Sequence, residues 1–333
     1  MRINYLIILF AAFLMTQCSP KSGDKMQGDT PPADKAWRSQ APEAGEARKI
    51  QMGEFNVMSL DNGLTVIVVE NHKLPRVSYS LSLKNDPIME NDKVGLVGMA
   101  GQLLGRGTKN KTKAEIDAAI DFIGASFNTS GSGMFGSSLT KHQDAVLEIM
   151  SDVLFNASFP KDEFDKILTQ TLSGIEASKT DPNSMASNVA AVVNYGTEHP
   201  YGEVPTAETY NNISVKDCKQ YVKRYFKANN AYLTIVGDIT MEEAKMKAEK
   251  YFGNWSSGKV ADVNYDTPEP SSEPRVCLAN KDGAVQSVIR ITYPVDNKPG
   301  NADATAATVM NSILGGGIFS GRLMQNLRED KAY

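Results

Sequence analysis

The sequence predicts an α+β chain made of two copies of one unit, and three observations carry that reading. Strand-like and helix-like stretches run in the order strand, strand, helix, helix. That order restarts after a proline-rich break. The composition, 41% hydrophobic and 22% charged over 333 residues, is that of a globular chain able to bury a sizeable core. A net charge of −4 lacks the basic excess of a nucleic-acid binder, so no nucleic-acid partner is expected. Three cysteines cannot build a disulfide scaffold, and three histidines leave little material for a His-rich metal centre.

The chain opens with an address. Arg2 precedes the apolar run Leu6–Met15, which is shorter than the roughly 20 residues needed to span a bilayer and has the size of a signal-peptide core. Cys18 follows at once and resembles the acylated cysteine of a bacterial lipobox, with Gln17 where a small residue is usual. Residues 1–18 are expected to be a lipoprotein signal ending at the lipidated Cys18; an ordinary signal peptide with an incidental cysteine is the other reading. The implied location is the cell envelope, periplasm or outer membrane, lipid-anchored. Residues 19–50 hold almost no large apolar residue and read as a flexible tether.

The globular part follows in order. Asp61-Asn62-Gly63 between alternating apolar residues predicts a hairpin over Phe55–Val69. Val77, Tyr79, Leu81 and Leu83 alternate and predict a strand over Arg76–Leu83. Helices are expected over Val94–Leu104 and Lys113–Ile123, then strands over Ser126–Ser130 and Met134–Leu139. The turn Gly131-Ser132-Gly133 lacks the lysine and following helix of a phosphate loop. Helices are expected over Gln143–Leu154, Lys161–Lys179, Ser184–Tyr195 and Val215–Phe226. A strand over Tyr232–Val236 and a helix over Glu242–Phe252 close the first domain, residues 51–257. Residues 258–274 form the linker, with three prolines in Asp266–Pro274. Residues 275–333 restart the pattern, with strands at Val276–Ala279 and Gln286–Tyr293, a helix at Asn301–Leu314, and Gly315-Gly316-Gly317. This second copy is read as incomplete. Cys218 and Cys277 are read as isolated core thiols, with pairing in an oxidising compartment as the alternative.

Four stretches carry a resemblance. They are Asp61–Val66, Gly95–Thr108, His199-Pro200-Tyr201-Gly202 with Ala231–Asp238, and Gly315–Glu329. In their order and spacing they resemble the insulinase/pitrilysin peptidases, which include mitochondrial processing peptidase. The resemblance implies tandem domains, each an antiparallel sheet with helices on one face, the second truncated here. Active members carry His-x-x-Glu-His on the helix of the second stretch: two imidazoles hold Zn²⁺ and the Glu is the base for the attacking water. In this chain those positions are Gly98, Gly101 and Gln102. Neither a hydrogen atom nor a neutral amide replaces those donors. Glu176 lies in the region of the family's downstream ligand, but a lone Glu in a polar helix reads first as a solvated helix residue. His72, His142 and His199 are not at ligand spacing.

In the family, the second domain supplies an Arg and, further on, a Tyr that contact the substrate backbone. Arg328 matches the Arg by context, with a surface ion pair as its other reading; the Tyr would fall beyond Tyr333. Gly315, Gly316 and Gly317 match a loop near substrate and also read as a bend between helices. Some family members work as pairs, one carrying zinc and the other the Arg half. The resemblance therefore implies a non-catalytic, substrate-binding subunit with no cofactor of its own. Zinc belongs to a paralogous partner, peptide is the substrate, and the N-terminal lipid holds the membrane. A scaffold subunit of an envelope complex is the alternative.

Overall fold

The computed structural model describes residues 43, 45–46 and 53–332, apart from 267, 270, 296, 299 and 318. Leu6–Met15, Cys18, almost all of the 19–50 stretch, and Tyr333 lie outside the described residues.

Six strands form one sheet: β1 Asn56–Ser59, β2 Thr65–Glu70, β3 Arg76–Leu83, β4 Ser126–Ser130, β5 Gly133–Leu139 and β6 Ala231–Gly237, in the order β1-β2-β6-β3-β5-β4. The α+β class holds. The sheet is antiparallel in four of its five pairings; the exception is β2 with β6, which pair in parallel, Val66 opposite Leu233. The physical reason is the path: β6 arrives after a long helical crossover, the connection a parallel pair requires.

Cross-strand registers turn sequence alternation into two faces. Val66, Leu233, Leu81 and Met134 lie in one row across β2, β6, β3 and β5, and all are buried. The row displaced by one residue, Ile67, Thr234, Ser80 and Phe135, faces the other way and is only half-buried. The first face is covered by helices drawn from the eight that precede the linker among the described residues. They are α1 Leu96–Leu104, α2 Lys113–Phe122, α3 Gln143–Asn156, α4 Lys161–Ser178, α5 Pro182–Tyr195, α6 Ala207–Asn211, α7 Val215–Tyr225 and α8 Met241–Phe252. Against this face pack Met99, Leu103 and Leu104 of α1, Val146, Met150 and Val153 of α3, Cys218 and Val222 of α7, and Phe252 of α8.

The starts of these helices are written locally. Thr112 and Glu115 make a reciprocal capping box at α2, and Ser214 and Asp217 make another at α7. Asp181 caps α5 with Pro182 in its first turn. The short α6, capped by Thr206, has no counterpart in the sequence reading because five residues are too few to show a period.

Beyond the linker the picture changes. Helix α9, Ala304–Asn311, is present and continues as a π-helical turn over Ser312–Gly316; a second π-helical segment spans Met324–Asp330. The expected strands Val276–Ala279 and Gln286–Tyr293 are not formed: both segments are irregular, with Val276, Leu278, Ile289 and Ile291 all exposed. A strand exists only when a neighbour takes its backbone N–H and C=O groups, and none is present beside these segments among the described residues. Cys218 is buried and Cys277 exposed, both as free thiols, so Cys277 is not the core residue expected. Among the described residues no helix is long and apolar enough to cross a membrane.

Candidate functional site

Helix α1 carries the positions at issue. Its N-terminus is fixed by Glu90, whose carboxylate accepts from Val97 N at 2.8 Å and Gly95 N at 3.2 Å. Glu203 in turn accepts from the backbone N–H groups of Glu90 and Asn91. A carboxylate at a helix N-terminus offsets the exposed N–H dipoles. Burial nonetheless pushes the Glu90 carboxyl above its ordinary range, and the Glu203 charge adds to the shift against the opposing backbone bonds.

From this anchored start the helix presents Gly98 and Gln102 to solvent and turns Gly101 inward. Gly98 has open space where a side chain would stand, with nothing within 4 Å of an added Cβ. Gly101 is the opposite case. A Cβ there would lie 2.0 Å from Gly131 N and 2.2 Å from the Ser130 carbonyl carbon. One added to Gly131 would lie 2.4 Å from both Val97 Cγ1 and Val97 O. Helix and β4–β5 turn interlock through two hydrogen atoms. The contact is pinned on both sides: Thr129 Oγ1 donates to Gly101 O at 2.7 Å, and Tyr221 Oη donates to Gly131 O at 2.8 Å.

The donor set does not fit zinc. Two glycines and a primary amide supply neither imidazole nor carboxylate, and the place of the carboxylate is taken by the backbone of Gly131. Glu176 is exposed on α4 and pairs with Lys179 Nζ at 2.5 Å. The histidines stand apart. His72 lies between Asp238 and Glu70 at the end of β2. His142 precedes α3. His199 sits among Tyr195, Tyr201 and Tyr265, with ring centroids 5.1–5.3 Å from its own. Among the described residues no three His, Cys, Asp or Glu side chains converge as a metal site.

What remains at this end of the sheet is a recess and an edge. A cleft of about 230 Å³ is lined by Gln102, Arg106, Lys113, Asp117, Phe127 and Asn128, among others. Its charges are partly neutralised by the Arg106–Glu163 pair at 3.6 Å and the Lys113–Asp117 pair. Strand β4 forms one wall and, among the described residues, is the last strand of the sheet, paired only with β5. Its outer backbone groups are a template for one more strand.

Arg328 is exposed in the segment Met324–Asp330, with Glu329 as its ion-pair partner, Nε to Oε1 4.0 Å. Gly315 and Gly316 lie in the π-helical turn, and Gly317 ends it. The interlock of Gly101 with Gly131 was beyond sequence reasoning, since it joins a helix to a turn thirty positions away. The ring cluster around His199 had a signal, the tyrosines at 195 and 201, but Tyr265 joins it from the linker side.

Comparison with known proteins follows the geometry. Residues 212–333 match the sequence family described as Peptidase M16 inactive domain. The uncharacterized zinc protease YmxG of Bacillus subtilis (strain 168) is 23% identical over 277 residues, 81% of this chain and 66% of that protein. The non-peptidase homolog YmxG of Helicobacter pylori (strain ATCC 700392 / 26695) is 23% identical over 270 residues, 79% of this chain and 61% of that protein. The chain thus spans just under two thirds of the length of these curated relatives. A crystal structure of a peptidase M16 inactive domain from Pseudomonas fluorescens superposes with a TM-score of 0.71 at 22% identity, covering 84% of this chain and 68% of that one.

Proposed function

We propose that this chain, which belongs to the M16 peptidase family, is a non-catalytic subunit that binds extended peptide for a zinc-bearing paralogue. One observation carries the reading: at the zinc-motif helix the space of the catalytic carboxylate is filled by the Gly131 backbone, while the β4 edge and the cleft beside Gln102 stay open. Binding surface is kept where chemistry is lost. An extended peptide would add to β4 through main-chain hydrogen bonds, a mode that is tolerant of side-chain identity. Arg328 would hold a peptide carbonyl with its guanidinium, and Gly315–Gly317 would let the backbone approach closely.

The Leu6–Met15 run and Cys18 support export and a lipid anchor, which would place the pair in the cell envelope. The test is a mild-detergent pull-down of the full-length protein, followed by peptide cleavage with whatever is recovered. A stoichiometric companion bearing His-x-x-Glu-His, whose cleavage of peptide rises on adding this chain, is the expected result. Arg328→Ala should lower that cleavage about tenfold, the loss of one charge-assisted hydrogen bond, without shifting the unfolding midpoint. Cleavage indifferent to this chain, or recovery with unrelated envelope components alone, sinks the reading in favour of a scaffold.

A further inference from the structure

The uncovered face of the sheet holds a second cleft, at the far end from the Gly101 contact. It has a volume of about 360 Å³, and its floor is one row across three neighbouring strands: Val236 on β6, Ser78 on β3 and Ser137 on β5 are direct cross-strand partners. Phe135, two positions from Ser137 on the same face, extends that floor. Arg76, two positions before Ser78, and Lys73 stand at its rim beside Asn71 and Leu74.

Three features identify what such a cleft takes. First, charge: neither Arg76 nor Lys73 forms an ion pair with a described residue, although both reach the same recess. The acids nearby, Asp238 and Glu70, are engaged elsewhere. Asp238 lies 2.8 Å from His72 Nδ1 and accepts from Thr140 Oγ1 at 3.1 Å; Glu70 accepts from Met241 N at 2.9 Å. Neither lines the cleft. Second, orientation: Arg76 Nε donates to Ser137 Oγ at 2.9 Å, and Ser137 is buried at 1% exposure. That bond fixes the plane of the guanidinium and leaves its terminal amino groups for a planar two-oxygen acceptor. Third, apolar surface: Phe135 and Val236 on the floor and Leu74 at the lip, itself 69% exposed, lie beside the cations. An inorganic anion has no use for them, whereas one aliphatic side chain does.

We infer that this cleft binds the free C-terminal carboxylate of a peptide whose last side chain is apolar. Arg76 and Lys73 take the carboxylate, and Phe135, Val236 and Leu74 take the side chain. The inference rests on the peptide-binding reading above and names an end of the substrate, so that peptides with free C-termini are preferred over internal segments.

The test uses the full-length protein and pairs of probes that differ only at the carboxyl end. N-acetyl-leucine and N-acetyl-leucinamide are titrated while the backbone amide resonances of Ser78, Ser137 and Gly237 are followed. A nonapeptide ending in leucine is titrated in free-acid and amide forms. The expected result is tighter binding of each free acid by about tenfold, the worth of one charge-assisted contact. Arg76→Gln and Lys73→Gln should each reduce that preference, with an unchanged urea midpoint showing that the fold persists. Equal binding of acid and amide overturns the carboxylate assignment while leaving peptide binding intact. Binding of N-acetyl-leucine with no binding of either nonapeptide upholds the cleft and overturns the peptide reading instead. Inorganic phosphate that displaces N-acetyl-leucine at equal concentration, and shifts the same amides alone, makes this a phosphate site and overturns the inference.

Discussion

At position 101 the packing admits a hydrogen atom and nothing larger. Gly101→Glu, which would restore the family's base, forces the β4–β5 turn away from α1 and breaks the Thr129 and Tyr221 contacts. The expected cost is about 1–3 kcal/mol, read as a lower urea midpoint; an unchanged midpoint would show that the turn yields freely. Gly98 and Gln102 behave differently because both face solvent. The double substitution Gly98→His with Gln102→His sets two imidazoles one helical turn apart, without strain at 98. It should raise the unfolding temperature in the presence of Zn²⁺ and yield no peptide hydrolysis, because no base stands between them. Cys218 makes a further contrast. Burial pushes its thiol up to about 12, whereas Cys277 is exposed. At pH 8 a thiol reagent should modify Cys277 in the native protein and reach Cys218 only on unfolding; equal rates would contradict the packing. The missing metal donors at 98, 101 and 102 are legible as letters in the sequence. That 101 is also sterically closed is not, because the clash is with the backbone of residue 131.

Single elements owe their boundaries to short-range chemistry, which is why so many were readable. Arg76–Leu83 forms as its alternation predicts, and Ser126–Ser130 forms over the span expected for it. Helix α2 starts at Lys113 because Thr112 and Glu115 satisfy the first free N–H groups. Thr112→Ala should lower stability by about 1 kcal/mol, measured by urea unfolding, and a neutral effect would mean that packing of Ile116 and Ile120 alone sets the helix. The same local logic fails at Val276–Ala279 and Gln286–Tyr293. Their residues have strand character, yet a strand is a property of two segments, and no described segment pairs its backbone with them; Thr292 reaches α5 through its side chain alone, Oγ1 to Asn194 Oδ1 at 3.2 Å. Proteolysis should register the difference: trypsin should cut at Arg290 well before any site within 96–252, with fragments identified by mass. Early cleavage inside α1–α8 would contradict the burial pattern.

Across the molecule, α3 and α8 are held together by a polar clasp on the rim of the core. The Lys247 ammonium, followed by the Tyr251 hydroxyl, holds the Asp144 carboxyl below its ordinary value of 3.8. The folded state therefore binds this proton less readily than the unfolded chain. Its contribution to stability is complete above about pH 4 and is lost as the pH falls through the lower folded value. Asp144→Asn should flatten the acid limb of the stability profile and leave the neutral region little changed; an acid limb identical to the parent's would remove Asp144 from that role. At this scale the sequence by itself determined the α+β class, the order of elements to Phe252 apart from the short α6, and the absence of zinc donors on α1, because periodicity, capping and residue chemistry act over a few positions. Tertiary structure alone decided the parallel pairing of β2 with β6, the filling of the Gly101 site by Gly131, and the gathering of Arg76, Ser78, Ser137 and Val236 on the open face. Each of those joins segments tens of residues apart, and only the closure of the sheet brings them within hydrogen-bonding and van der Waals reach.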